Sequence, residues 1–253
     1  MKVSAIIQAR MGSSRLPGKV MAEIAGKPML QRVVERVTRA ERLDGIVVAT
    51  SVNSADDPVE QLCKKVGTNC VRGSEQDVLD RYYQAALQHR VNCIVRLTAD
   101  CPLADPHVID RVIGAYIPGE RDYVSNIDPP TFPDGLDTEV FSFSALERAW
   151  RDAKLPSQRE HVTLYIRNHP ELFRLANVVN EIDLSAMRWV VDEARDLEFV
   201  REVYRRLGSN IFSTEDVLKL LYEEPYLQKI NGSIMRNEGL LKSLAQDEAA
   251  NEG

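Results

Sequence analysis

Apolar and polar positions along this chain switch repeatedly between a strand-like and a helix-like period. Val3–Gln8 is a short apolar run that predicts a strand. From Pro28 to Glu41, Leu30, Val33, Val34 and Val37 recur at helical spacing. Ile46–Thr50 returns to strand character. Asp57-Pro58-Val59-Glu60 reads as an N-cap, a proline at N1 and an acidic third position, opening a helix to about Lys65. The pattern then predicts a strand at Cys70–Arg72, a helix at Val78–His89, a strand at Cys93–Leu97 and a helix at Pro106–Ile117. After a turn-rich stretch between Tyr123 and Asp137, it predicts a strand at Thr138–Phe141 and helices at Ala145–Ala153 and Glu160–Asn168. A strand at Arg188–Val191 runs into a helix across Ala194–Leu207, and one more helix spans Thr214–Glu223. The polar end, Gln246–Gly253, reads as frayed or disordered.

Strand–helix alternation of this kind predicts an α/β fold with a mostly parallel central sheet and helices on both faces. Ligands bind such sheets at the carboxyl ends of the strands. The loops after Gln8, Thr50, Arg72 and Leu97 are therefore the places to look for chemistry.

Composition narrows the function classes. The 253 residues are 44% hydrophobic and 28% charged, which suits a globular chain with one large core. A net charge of -6 argues against a general nucleic-acid surface. No run approaches the roughly 18 apolar residues that cross a bilayer, and the N-terminus is too short for a signal peptide. Cysteines at 63, 70, 93 and 101 form no CxxC pair. That spacing favours free thiols in a reducing cytoplasm over zinc or disulfides.

The loop after the first strand carries Arg10, Arg15 and Lys19, with Gly12 and Gly18 between them. A triphosphate needs such cations together with close backbone N–H donors. The loop fits neither GxGxxG nor GxxxxGK[ST], and the bland alternative is a solvated basic turn. Asp100 follows the strand ending at Leu97, and Asp192 follows Arg188–Val191. Two carboxylates at strand ends suit Mg²⁺, which takes one or two carboxylates plus phosphate oxygens and water. Singly, each aspartate also has an ordinary use as a turn residue or an N-cap.

Ile6-Ile7-Gln8-Ala9-Arg10 followed by Gly12-Ser13-Ser14-Arg15-Leu16-Pro17-Gly18-Lys19 resembles the signature loop of the cytidylyltransferases, especially the family of the spore coat polysaccharide biosynthesis protein SpsF. The resemblance runs from Lys2 to about Leu207. It implies a Rossmann-like, GT-A-like nucleotidyltransferase with a small antiparallel substrate or dimerisation extension. It also implies a domain over 1–208, with the acceptor segment at about 123–170, and a helical extension over 209–253. The implied nucleotide site is Gln8, Ala9, Arg10, Met11, Gly12, Arg15, Lys19, Arg72, Ser74, Thr98, Ala99 and Asp100, with Arg10 and Lys19 catalytic. Arg72 and Ser74 would face the nucleobase. Asp100 matches the metal aspartate of the R-x-T-G-D-C-P motif and Asp192 the second one; Ala99 stands in place of that motif's glycine. Phe132-Pro133-Asp134-Gly135-Leu136-Asp137-Thr138-Glu139 and Arg159-Glu160-His161 match acceptor segments. The acceptor set is then Asn126, Asp134, Asp137, Glu139, Arg159 and His161, in which Arg159 and His161 would hold an acidic group.

These readings predict a Mg²⁺-dependent transfer of CMP from CTP to a small acidic acceptor, by a cytoplasmic homodimer with no nucleic-acid or membrane partner. Two alternatives are a sugar-phosphate nucleotidyltransferase using another nucleoside triphosphate, and a non-catalytic nucleotide-binding module. A glycosyltransferase fits less well, because Asp100-Cys101-Pro102 lacks the second aspartate of D-x-D.

Overall fold

A computed structural model describes residues 1–208, 211–234, 236 and 238–251. The first half alternates strand and helix. The elements are β1 (Val3–Gln8), β2 (Glu23–Ile24), β3 (Lys27–Pro28), α1 (Met29–Val37), β4 (Gly45–Ser51), α2 (Asp57–Val66), β5 (Asn69–Gly73), α3 (Val78–Gln88), β6 (Cys93–Thr98) and α4 (Pro106–Ala115). The second half continues with β7 (Tyr123–Ser125), β8 (Glu139–Ser142), α5 (Phe143–Asp152), α6 (Pro156–Glu160), α7 (Leu164–Arg167), β9 (Leu175–Asn177), α8 (Ala194–Leu207), α9 (Thr214–Glu223) and α10 (Glu238–Asn251).

Among the described residues, one sheet runs in the order β5-β4-β1-β6-β8-β7-β9. β5, β4, β1 and β6 are parallel, and β8 runs against both its neighbours. β2 and β3 form a small antiparallel hairpin. Apolar side chains pack on both sheet faces. Ala5 and Ile7 meet α1, α2 and α4 on one side, while Ile6 and Val47 meet α3 and α5 on the other. β1 is therefore apolar at successive positions because both of its faces are covered. A third cluster joins Ile24, Met29 and Trp189 to α8, α9 and Leu227, so the chain after residue 210 contributes to the core.

Several local expectations change. The helix after β4 starts at Asp57 with Asp56 at the N-cap, one residue earlier than read. The helix expected over Glu160–Asn168 is broken into α6 and α7, with Val162 between them at a φ of 48°. Arg188–Val191 is not a ladder strand: Arg188 makes one bridge, to Asp134. β7 and β9, three residues each, carried too short a pattern to be read. Residues 246–251, expected to fray, are helical within α10; 252 and 253 lie outside the described residues.

Candidate active site

β1 delivers the basic loop to the sheet's carboxyl edge. The loop is pinned by Asp56, a buried carboxylate that accepts from Met11 N at 2.6 Å and from Ser51 N at 3.1 Å. Gly18 N donates to Met11 O at 2.9 Å, closing the loop on itself. Gly18 has φ 72°, a backbone state that only glycine adopts freely. That turn sends Lys19 back toward the strand ends.

Lys19 Nζ donates to Asp100 Oδ2 at 2.8 Å, to Asp192 Oδ1 at 2.9 Å and to the Val191 carbonyl at 2.8 Å. Burial works against the ammonium charge, but Asp100 and Asp192 outweigh it and raise the Lys19 pKa. Desolvation also opposes the charge on the half-buried Asp100, yet Lys19 holds its carboxyl below the usual range. Asp100 is placed by the end of β6, where Ala99 N donates to Gln8 O at 3.0 Å. Asp192 is brought alongside by Val191 N, which donates to Asp100 O at 2.8 Å. Arg15 and Arg188 reach the other oxygen of Asp192 at 3.0 and 3.1 Å. Behind them, the buried Asp196 accepts from Arg188 Nε at 2.8 Å, from Asp192 N at 3.0 Å and from Asn231 Nδ2 at 2.9 Å.

Two carboxylates thus converge on one cation. The donor set fits Mg²⁺, which prefers carboxylate oxygens supplemented by phosphate and water. The ammonium marks the point of convergence.

Two cavities meet at this cluster. The first, about 310 Å³, is lined by Gln8, Ala9, Arg10, Gly12, Arg15, Lys19, Thr98, Ala99 and Asp100 from the expected nucleotide set. Ala99, at the glycine position, is not among the positive-φ residues and presents its methyl to the cavity without backbone strain. The second cavity, about 250 Å³, is lined by Asp134, Asp137, Glu139 and His161 from the expected acceptor set. Arg15, Thr98, Asp100, His161 and Asp192 line both.

Five expected contacts are not brought to these cavities. Arg72 turns outward, donating to Asp57 at 2.7 Å, Glu60 at 2.9 Å and two carbonyls of the loop after β4. Ser74 Oγ accepts from Asp77 N at 3.1 Å ahead of α3. Asn126 is buried and braces the Asp134 turn, donating to Leu136 O at 2.9 Å and accepting from Thr138 N at 2.8 Å. Arg159 is held by Asp77, at 2.9 Å from Nε. Met11 contributes its backbone to the loop and does not line the first cavity.

The structure adds residues that sequence reading missed. Arg81 on α3 lines the first cavity, is buried, and has Nε and Nη1 without hydrogen-bond partners. Burial, then neighbouring Arg10, lowers its pKa. Gly73 makes room for it: a Cβ there would sit 2.8 Å from Arg81 Cγ. Arg96 and Arg167 line the second cavity. The helical spacing of α3 gave no sign that Arg81 points inward, because arginine on an amphipathic helix ordinarily marks the solvent face.

The carboxylates of the second cavity differ in charge state. Burial and Asp137 raise the Asp134 pKa to about 7, against Arg236 and Arg188. Burial raises Asp137 as well. Burial also opposes the charge on Glu139, but Arg96 and Arg167 hold it below the carboxylate range. His161 is pushed below its usual value by burial, and its Nε2 lies 3.0 Å from Ser243 Oγ.

Comparison with known proteins agrees with this architecture. A family profile described as Cytidylyltransferase matches residues 4–227. The chain is 36% identical over 228 residues to the spore coat polysaccharide biosynthesis protein SpsF of Bacillus subtilis, covering 87% of this chain and 94% of that protein. A cytidylyltransferase structure from Leptospira borgpetersenii superposes with a TM-score of 0.89 at 34% identity, covering 93% of this chain and 100% of the other. A CMP:2-keto-3-deoxy-manno-octonic acid synthetase complexed with CTP shares the fold at a TM-score of 0.63 and 19% identity, over 81% of this chain and 99% of that one. With matches spanning nearly the whole strand–helix core and the basic loop within it, the chain belongs to the cytidylyltransferase family.

Proposed function

We propose that this protein transfers CMP from CTP to a small acidic acceptor, such as an ulosonic acid, a nonulosonic acid or a phosphonate, with release of pyrophosphate and dependence on Mg²⁺. The observation that carries this reading is Lys19 held between Asp100 and Asp192 where two cavities meet. The first cavity takes the nucleotide and the second the acceptor. An acceptor oxygen attacks the α-phosphorus. The new P–O bond forms as the bond to the β-phosphate's bridging oxygen breaks, and pyrophosphate departs. Arg10, Arg15 and Lys19 offset the triphosphate charge, so catalysis is mainly positioning and electrostatics. Asp100 and Asp192 would hold Mg²⁺, which when bound offsets charge on the α-phosphate and the leaving pyrophosphate. An attacking carboxylate or phosphonate needs little proton removal; a hydroxyl needs a base, and Asp134 or His161, whose pKa burial lowers, lines the cavity.

The nucleobase reading moves from Arg72 to Arg81. Cytosine presents two adjacent acceptors, O2 and N3, to a guanidinium that lines the first cavity. Uracil presents an N3–H donor at the second position, which leaves one arginine N–H facing another donor. A polar site built this way rejects the wrong partner strongly.

Pyrophosphate release from CTP, UTP, GTP and ATP against sugar acids, phosphonates and sugar phosphates tests the proposal. CTP with an acidic acceptor should be the productive pair. Chelation of Mg²⁺ should stop turnover, and Asp100→Asn should lower it by about 10²–10³-fold, the scale of losing one transition-state electrostatic contact. Undiminished turnover in either case sinks the metal assignment. Homodimerisation and a cytoplasmic setting belong to the same proposal; a monomer in light scattering removes the former.

A further inference from the structure

Of the four arginines lining the second cavity, Arg96 and Arg167 have one carboxylate between them. Arg96 on β6 and Arg167 at the end of α7 both line it, and each has a buried Nε without a hydrogen-bond partner. The one carboxylate between them in charge terms is Glu139. Its Oε1 is taken by Arg96, and its Oε2 by the hydroxyls of Tyr123, at 2.7 Å, and Thr163. Arg167 makes no ion pair among the described residues. The remaining acids of the cavity lie against other cations. Asp134 lies 3.4 Å from Arg188, Asp137 lies 2.6 Å from Arg236, and Asp100 and Asp192 share Lys19. Two half-buried positive charges therefore face one negative charge whose oxygens are already occupied.

Two guanidiniums that share one carboxylate leave positive charge in excess at the cavity wall, and a bound anion offsets it. We infer that Arg96 and Arg167 together form the seat for the acceptor's anionic group, a carboxylate or a phosphate-type group. The acceptor's hydroxyls then face Asp134 and Asp137, and its reacting oxygen points to the junction at Asp100. This seat replaces Arg159, which Asp77 holds elsewhere. The inference rests on reading the second cavity as the acceptor site.

Two measurements test it. The first needs no acceptor: crystals of the full chain grown with CMP are soaked in sodium bromide, and bromide is located by its anomalous scattering. Bromide bridging Arg96 and Arg167 is expected in the wild type and should be lost in Arg167→Met. Its absence from the wild-type seat overturns the inference. The second compares turnover of sugar acids and sugar phosphates with that of their uncharged parent sugars. Arg167→Met should raise the acceptor KM by about ten- to hundredfold, leave the CTP KM unchanged, and be partly rescued by Arg167→Lys. Equal turnover of uncharged sugars, or an unchanged acceptor KM in Arg167→Met, overturns the seat while cytidylyl transfer stands. A wild type in which CTP neither raises the melting point nor releases pyrophosphate overturns the cytidylyl reading instead, and bromide occupancy then judges the seat alone.

Discussion

At the scale of single residues, the active-site cluster depends on which arginines are left without partners. Arg72 and Arg81 stand nine positions apart, and one lies on the strand leading to the helix that carries the other. Sequence reading favoured Arg72, since it ends a strand where ligands gather. Its guanidinium instead satisfies Asp57, Glu60 and two carbonyls. Arg81 lines the first cavity, and its Nε and Nη1 find no hydrogen-bond partner among the described residues. Arg81→Met should therefore lower the CTP-over-UTP ratio of kcat/KM by about ten- to hundredfold, mostly through loss of CTP. Parallel assays of both nucleotides measure it. An unchanged ratio in a folded variant would move base selection to another group.

The next scale is the element, and the segment 188–192 decides the site's geometry. It runs beside the Asp134 turn without joining the sheet: Trp189 N donates to Asp134 O at 2.6 Å, and Asp134 N donates to Met187 O at 2.9 Å. Gly135 permits this approach. Its φ is 111°, and a Cβ there would lie 2.6 Å from Val190 N and 2.7 Å from the Trp189 carbonyl carbon. These are backbone atoms, so they cannot swing aside. Gly135→Ala should cost about 1–3 kcal/mol, from backbone strain alone, and lower the melting point by several degrees. Because the segment carries Asp192, turnover should fall as well. Calorimetry and a pyrophosphate assay on the same sample check both; a wild-type melting point would mean that the segment can withdraw without loss.

Across the whole molecule, the cost of crowding carboxylates into the second cavity is felt as pH-dependent stability. Folded Asp134 keeps its proton up to about pH 7, against a usual value of 3.8. Between those values unfolding releases a proton, so this group makes the fold less stable as pH rises, and the effect levels off above pH 7. Asp134→Asn removes that dependence. The variant should gain on the wild type steadily from pH 4 to pH 7, with ~4 kcal/mol as the ceiling set by a shift of about three units. Denaturant midpoints of both proteins at pH 5 and pH 7.5 measure the gain. A constant difference between the two would show that Arg188 and Arg236 hold Asp134 ionised throughout.

The sequence by itself determined the order of strands and helices, because burial on two sheet faces imposes runs such as Val3–Gln8 and helical stripes such as Leu30, Val33, Val34 and Val37. It also marked Arg15, Lys19, Asp100 and Asp192, since charged residues at strand ends stand out from the apolar pattern. It did not decide where long side chains go. Arg159, Arg72, Arg81 and Arg167 are chemically alike in one dimension, and each is directed by partners distant in sequence or by the lack of them. Asp77 lies 82 positions from Arg159. Asn126 looked like a ligand group and serves the turn. Arg188–Val191 looked like a strand, yet its backbone is paired chiefly with the Asp134 turn and Asp100. Tertiary packing alone decided which guanidiniums were consumed within the protein and which came to line the cavities.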